Sequence, residues 1–201
     1  MKDINNEIFE NGLKLPLVEQ FYSVQGEGFH TGKPAYFIRI GGCDIGCQWC
    51  DSKVTWNPDV HPLVEVGDIV DKVLQTPAQS IVVTGGEPSL YNLNPLCEEL
   101  KKHQIKTFLE TAGTNQLTGQ WDWICLSPKK QTPPLSVYYD KADELKVIIY
   151  EADDLHWAEE ASEMVNEKCR LYLQPEWSQY KKMIPLIVEY VKAHTIWNIS
   201  L

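Results

Sequence analysis

Long apolar runs are missing from this 201-residue sequence, and no stretch approaches the roughly 18 apolar residues that a helix needs to cross a bilayer. Residues 1–7 also lack an apolar core followed by a small-residue cleavage site, so no secretory signal is expected and the cytoplasm is the expected compartment. Positive charge is scarce. With 18 Lys and Arg against 28 Asp and Glu, the net charge of -10 argues against holding nucleic acid through many phosphates, a mode that needs clustered basic residues. Internal repeats and low-complexity tracts are absent, and 43% hydrophobic with 23% charged residues excludes wholesale disorder. The five histidines, at 30, 61, 103, 156 and 194, share no metal-binding spacing, so no catalytic role falls to them. What remains is one globular domain over 1–201, large enough for a single sizeable core and suited to small-molecule chemistry.

Short apolar runs alternate with amphipathic stretches. The runs predict strands over 35–40, 80–83, 106–110, 123–126, 145–150, 170–173 and 195–200; three- and four-residue apolar spacing predicts helices over 66–74, 95–103, 154–166 and 178–193. Pro185 weakens the last of these. Such alternation builds right-handed βαβ units, hence an α/β fold with a mainly parallel sheet, and about six such strands curl into an incomplete TIM-like barrel. Chemistry in that architecture sits at the C-terminal ends of the strands. Four polar segments fall there: residues 43–51, 84–88, 110–111 and 127–129. Residues 131–134, Gln-Thr-Pro-Pro, read as a loop because consecutive prolines continue neither helix nor strand.

Three of the six cysteines crowd into eight residues: Cys43, Cys47 and Cys50, spaced C-x3-C-x2-C between Gly42 and Asp51. In a reducing compartment this density favours a metal site over disulfides. One loop can turn three thiolates onto one iron–sulfur cluster, and a cluster held by three cysteines keeps one iron open for an amino and a carboxylate group. A structural zinc, completed by a distant histidine or by Cys97, Cys125 or Cys169, is the alternative, although such sites usually pair two ligand groups and the sequence has no second one. Cys97, Cys125 and Cys169 are expected to behave as small buried hydrophobes. An electron-transfer iron–sulfur protein is a further alternative, but it should carry a fourth nearby cysteine.

The cysteine spacing, with Trp49 before the last cysteine, resembles the signature of the radical S-adenosylmethionine superfamily. Residues 23–28 (Ser-Val-Gln-Gly-Glu-Gly), 37–39 (Phe-Ile-Arg), 50–52 (Cys-Asp-Ser), 84–88 (Thr-Gly-Gly-Glu-Pro), 110–111 (Glu-Thr) and 127–129 (Ser-Pro-Lys) resemble, in order, the 7-carboxy-7-deazaguanine synthase family within it. That resemblance implies a lyase reaction on the route to deazapurines such as queuosine. In it, 6-carboxy-5,6,7,8-tetrahydropterin contracts to 7-carboxy-7-deazaguanine with loss of ammonia. A reduced [4Fe-4S] cluster cleaves S-adenosylmethionine, hydrogen leaves pterin C6 and is later returned, and magnesium assists. It also implies a one-electron donor such as flavodoxin. A radical activase acting on a partner protein would share the cluster but not the Gln25, Glu27 and Arg39 constellation.

By the same resemblance Cys43, Cys47 and Cys50 hold the cluster, and Ser52, where the family commonly has threonine, offers a hydroxyl to magnesium. Asp51 either reaches that ion through water or caps the loop. Trp49, Cys50, Asp51, Gly86, Ser127, Pro128, Lys129 and Gln174 are expected around S-adenosylmethionine, with solvated surface the plain alternative for Lys129. Val24, Gln25, Gly26, Glu27, Arg39, Thr84 and Glu110 are expected around the pterin, whose carboxylate and donor–acceptor edge they complement. Arg39, inside an otherwise apolar run, is expected to point into the barrel and pair the substrate carboxylate, with anchoring of a surface carboxylate the plain alternative. The family pattern continues with Gln-Thr-His-Lys and a short tail that closes over the pterin. Here the last residues read Ser200-Leu201, so either further residues follow these or the tail's histidine and terminal carboxylate are lacking. An open sheet edge would expose unpaired strand, so a homodimer or a covering segment is expected.

Overall fold

Alternation along each strand decides which residues face the helices and which face the barrel interior. The computed structural model describes residues 11–201; residues 1–7, read above as carrying no secretory signal, lie outside them. The described chain runs β1 (Lys14–Val24), β2 (Pro34–Ile40), β3 (Leu63–Glu65), α1 (Val66–Leu74), β4 (Ser80–Gly85), α2 (Asn94–Lys102), β5 (Lys106–Thr111) and β6 (Trp123–Leu126). It continues α3 (Ser136–Lys141), β7 (Glu144–Ile149), α4 (Asp154–Ser162), β8 (Arg170–Pro175), α5 (Tyr180–Ala193) and β9 (Trp197–Ile199).

The nine strands form one sheet in the order β3-β1-β2-β4-β5-β6-β7-β8-β9. From β2 to β9 every pairing is parallel, while β1 lies antiparallel to both β2 and β3. The ends of this order do not pair, so the barrel is incomplete, as the βα alternation predicts.

All seven predicted strands are present, as β2 and β4 to β9. Strand β1 was not predicted. Its register slips between Leu17 and Glu19, and Pro16 stands near its start, so its period-two signal breaks mid-strand. The cysteine loop therefore follows the second strand, not the first. Helix α3 also escaped prediction, because six residues with adjacent buried Tyr138 and Tyr139 show no helical period. Pro185 lies within α5 on its exposed side, where water can satisfy the Lys181 carbonyl that a proline leaves unpaired.

The core lies between sheet and helices. Ile38, Ile40, Ile81, Val83, Leu109, Leu126, Leu145, Val147 and Leu173 point outward from the barrel and join Ile69, Val73, Leu96, Leu100 and Ile187 of the helices. Each fully buried side chain of this size contributes about 1.5–3 kcal/mol. The intervening strand positions face inward, and they carry the polar residues: Arg39, Thr84, Glu110, Glu144, Lys146 and Gln174. Cys97 and Cys125 are buried and Cys169 packs partly buried against the core.

Candidate active site

A cavity of about 520 Å³ opens at the C-terminal ends of the parallel strands. Its wall includes Val24, Gln25, Gly26, Glu27, Arg39, Cys43, Cys47, Trp49, Cys50, Asp51, Ser52, Thr84, Gly86, Glu110, Ser127, Lys129 and Gln174. Of the site residues predicted from sequence, Pro128 does not reach this cavity. It lines an adjoining hollow that shares Trp49, Cys50 and Lys129.

The cysteine loop is pinned at both ends by backbone hydrogen bonds. Gly42 and Cys43 amides donate to the carbonyls of Thr55 and Trp56 at 2.6 and 3.2 Å, and the Glu87 amide donates to the Gly42 carbonyl at 2.8 Å. Gly42 takes φ 100° and Gly46 φ 67°, values that favour glycine. The three thiols are free and half-buried, and Trp56 Nε1 donates to Cys50 Sγ at 3.4 Å. Burial pushes the Cys47 thiol up in pKa, against the nearby Lys129 ammonium. Among the described residues no group of three or more His, Cys, Asp or Glu surrounds a single metal-ion position. In a cube-shaped cluster each cysteine binds its own iron, so three cysteines around one cavity wall suit such a group better than one ion does.

The turn after β4 lies against this loop. Glu87, 1% exposed, is bonded inside it: its carboxylate accepts from Ser89 N at 2.9 Å, from Ala112 N at 2.7 Å and from Thr111 Oγ1. Across the cavity Lys129 Nζ donates to Ser127 Oγ at 2.9 Å and stands 5.9 Å from the centre of the Trp49 ring. Lys129 is partly buried in the cavity wall, not on open surface, and burial lowers its pKa against the pull of Cys47 and Glu87. Ser52 Oγ donates to Asp51 Oδ1 at 3.0 Å, so a hydroxyl and a carboxylate oxygen stand together at the loop's end; Asp51 does not cap the short helical turn that follows.

At the opposite wall Gln25 links the Glu110 carboxylate to the backbone of Glu27. Its Nε2 donates to Glu110 Oε1 at 2.9 Å and its Oε1 accepts from the Glu27 amide at 3.2 Å. Arg39 lines the cavity but is only partly buried, and its Nε pairs with Glu19 Oε1 across the β1–β2 ladder at 2.7 Å. The burial argument for a substrate partner at Arg39 therefore weakens, because Glu19 already supplies one.

Two buried residues, Lys146 in the cavity wall and Ser200 behind it, carry no role in the sequence analysis. Lys146 on β7 is 5% exposed and ion-paired to Glu27, with Glu110 Oε2 3.9 Å away. The signal was available, since a lysine interrupts the apolar run of β7 as Arg39 interrupts β2. Ser200 is 2% exposed and bridges the Gly28 amide (3.0 Å) to Gln174 Oε1 (2.7 Å), a link across 172 residues that carries no local signal.

Residues 37–124, which hold the cysteine loop and the glycine turn, match the family model of the Radical SAM superfamily. A 7-carboxy-7-deazaguanine synthase of Flavobacterium psychrophilum is 49% identical over 192 residues, 96% of this chain and 91% of that protein. The chain belongs to the 7-carboxy-7-deazaguanine synthase family. The family member of Synechocystis is 44% identical, with 92% of this chain and 89% of that protein aligned. The crystal structure of QueE from Escherichia coli superposes with a TM-score of 0.85 at 29% identity, covering 97% of this chain and 96% of that one. Radical S-adenosylmethionine enzymes use a [4Fe-4S] cluster and S-adenosylmethionine, so membership in this family sets aside the zinc, simple electron-carrier and activase readings.

Proposed function

We propose that the chain converts 6-carboxy-5,6,7,8-tetrahydropterin to 7-carboxy-7-deazaguanine and ammonia, a lyase reaction of queuosine and other deazapurine biosynthesis. The observation that carries this reading is one cavity that joins three free cysteines to Gln25, Glu27, Arg39, Thr84 and Glu110, in a chain 49% identical to a named synthase.

Cys43, Cys47 and Cys50 would hold the cluster. When bound, the cluster and S-adenosylmethionine supply hydrogen-atom abstraction by a carbon radical. Trp49, Asp51, Gly86, Ser127, Pro128, Lys129 and Gln174 would surround S-adenosylmethionine, with Lys129 meeting its carboxylate or ribose from the cavity wall. Ser52, with Asp51 beside it, would offer oxygen to Mg2+, a hard cation that accepts such donors. On the far wall Arg39 would share its guanidinium between Glu19 and the pterin carboxylate. Glu27 and Glu110 would accept N–H groups of the ring, and Thr84 would add a hydroxyl. Val24 and Gly26 would shape the rim.

A one-electron donor such as flavodoxin would reduce the cluster. The terminal strands of the open sheet, β3 and β9, support a homodimer. Free cysteines throughout support a reducing compartment such as the cytoplasm. No helix among the described residues is long and apolar enough to cross a membrane. Anaerobic reconstitution with iron and sulfide, followed by mass spectrometry of the mixture with S-adenosylmethionine, Mg2+ and the pterin, tests the reading. Appearance of 7-carboxy-7-deazaguanine is expected, and its absence from a chain that cleaves the cofactor would overturn the pterin assignment.

A further inference from the structure

The inward face of β7 reads Glu144, Lys146, Ile148 from floor to mouth, and the lysine is the residue for which the family reading leaves no role. Its ammonium pairs with Glu27, on the loop after β1, and stands 3.9 Å from Glu110 Oε2 on β5. Glu110 is held on its other oxygen, Oε1, by Gln25 Nε2 at 2.9 Å, and Thr84 Oγ1 stands 3.5 Å from the Oε2 that faces Lys146. The exposures are asymmetric: the Lys146 side chain is 6% exposed, whereas those of Glu27 and Glu110 are 39% and 24% exposed. The cation is hidden behind the anions, and the anions are presented to the cavity. A pair serving packing alone has no reason to leave its carboxylates uncovered, and a lysine meant to meet an anionic ligand would not be the covered member.

We propose that Lys146 is a positioning residue that fixes the carboxylates of Glu27 and Glu110 side by side as two acceptors for the N–H groups of the substrate ring. This inference rests on the pterin reading above. Lys146 does not touch the ring itself. It offsets the charge of two carboxylates held at one cavity wall, where their repulsion would otherwise splay them apart or favour a proton on Glu27 at the expense of its capacity as an acceptor.

The charged and titratable groups around the pair come from every neighbouring strand: Arg39 from β2, Glu110 from β5, Cys125 from β6, Lys129 after β6, and Glu144 from β7. Burial acts to raise the Glu27 carboxyl, but Lys146, Gln174 and Arg39 together outweigh it and hold that group below its ordinary value. Burial also acts to lower Lys146, yet Glu110, Cys125 and Glu27 keep it charged. Burial raises the Glu144 carboxyl, against Lys146 and the hydrogen bonds from the Phe29 amide and Trp123 Nε1. Removing Lys146 leaves burial as the dominant influence on Glu27, so its pKa rises. Acceptor capacity is then lost at a higher pH as the solution is acidified.

The test is the pH dependence of kcat/KM for the pterin in reconstituted wild type, Lys146→Met and Lys146→Arg, with cluster content and thermal melts as folding controls. The acidic limb of Lys146→Met is expected to move up by about one pH unit or more. Its KM is expected to rise roughly tenfold at neutral pH, with a smaller change in kcat. Lys146→Arg keeps the charge, so the limb should stay in place, while its longer planar fork displaces the carboxylates and raises KM several-fold. The arginine variant decides the matter even if the methionine variant does not fold. A methionine variant with the wild-type limb and KM, or an arginine variant with a shifted limb or an unchanged KM, overturns the proposal. An inactive wild type overturns the pterin reading and this inference with it.

Discussion

A β-carbon on Gly86 would stand 2.0 Å from the carbonyl oxygen of Gly42, and 3.0 Å from Cys43 Cβ. The turn after β4 thus braces the cysteine loop through a backbone contact that no other residue type fits. Gly86→Ala should push the loop away at a cost of about 1–3 kcal/mol and lower the iron content of the reconstituted protein. Iron and sulfide assays beside a thermal melt check this. Unaltered iron loading with an unaltered melt would show that the contact does not matter.

Cys47 contributes no hydrogen bond to the fold through its thiol, and it lies on a loop whose ends are pinned elsewhere. Cys47→Ala should therefore abolish the cluster and cofactor cleavage while leaving the far-ultraviolet circular dichroism unchanged. Retention of the brown colour and of cleavage would remove it from the ligand set.

Arg39 and Glu19 form a partly exposed pair, which is worth at most about 1 kcal/mol to stability. Arg39→Ala should accordingly melt close to wild type, yet lose pterin turnover by at least about a hundredfold while cofactor cleavage stays measurable. Normal turnover would mean that the guanidinium serves only Glu19.

Glu27 and Glu144 should leave opposite marks on stability. Glu27 is held below its ordinary value of 4.5, so its contribution is present above that pH and is lost as the pH falls through its lower folded value. Glu144 is held above 4.5 by burial, so its contribution is greatest in acid and shrinks as the pH rises from 4.5 through the higher folded value. In urea titrations Glu27→Gln should trail wild type at neutral pH and converge with it in strong acid. A deficit that grows as the pH falls would contradict the sign.

The parallel strands were legible because their outward positions are continuous apolar sets, such as Ile81 with Val83 and Leu145 with Val147. The cysteine loop and the segments that line the cavity were legible because they end those strands. Strand β1 was not, since its inside-outside alternation fails at the slip beyond Leu17. Lys146 was legible as a lysine interrupting an apolar run, but its pairing was not, since its partner Glu27 lies 119 residues earlier. The Arg39–Glu19 pair depended on the register of an unforeseen strand, Glu19 facing Arg39, so the sequence made that arginine look more buried and more in need of a ligand than it is.

The most direct test of the central claim counts deazapurine molecules formed per molecule of S-adenosylmethionine supplied to the reduced, reconstituted chain. The account predicts 7-carboxy-7-deazaguanine and ammonia in equal amounts, with more than one product molecule per cofactor molecule. Cofactor consumed without any deazapurine, from a chain carrying its full cluster, would contradict it.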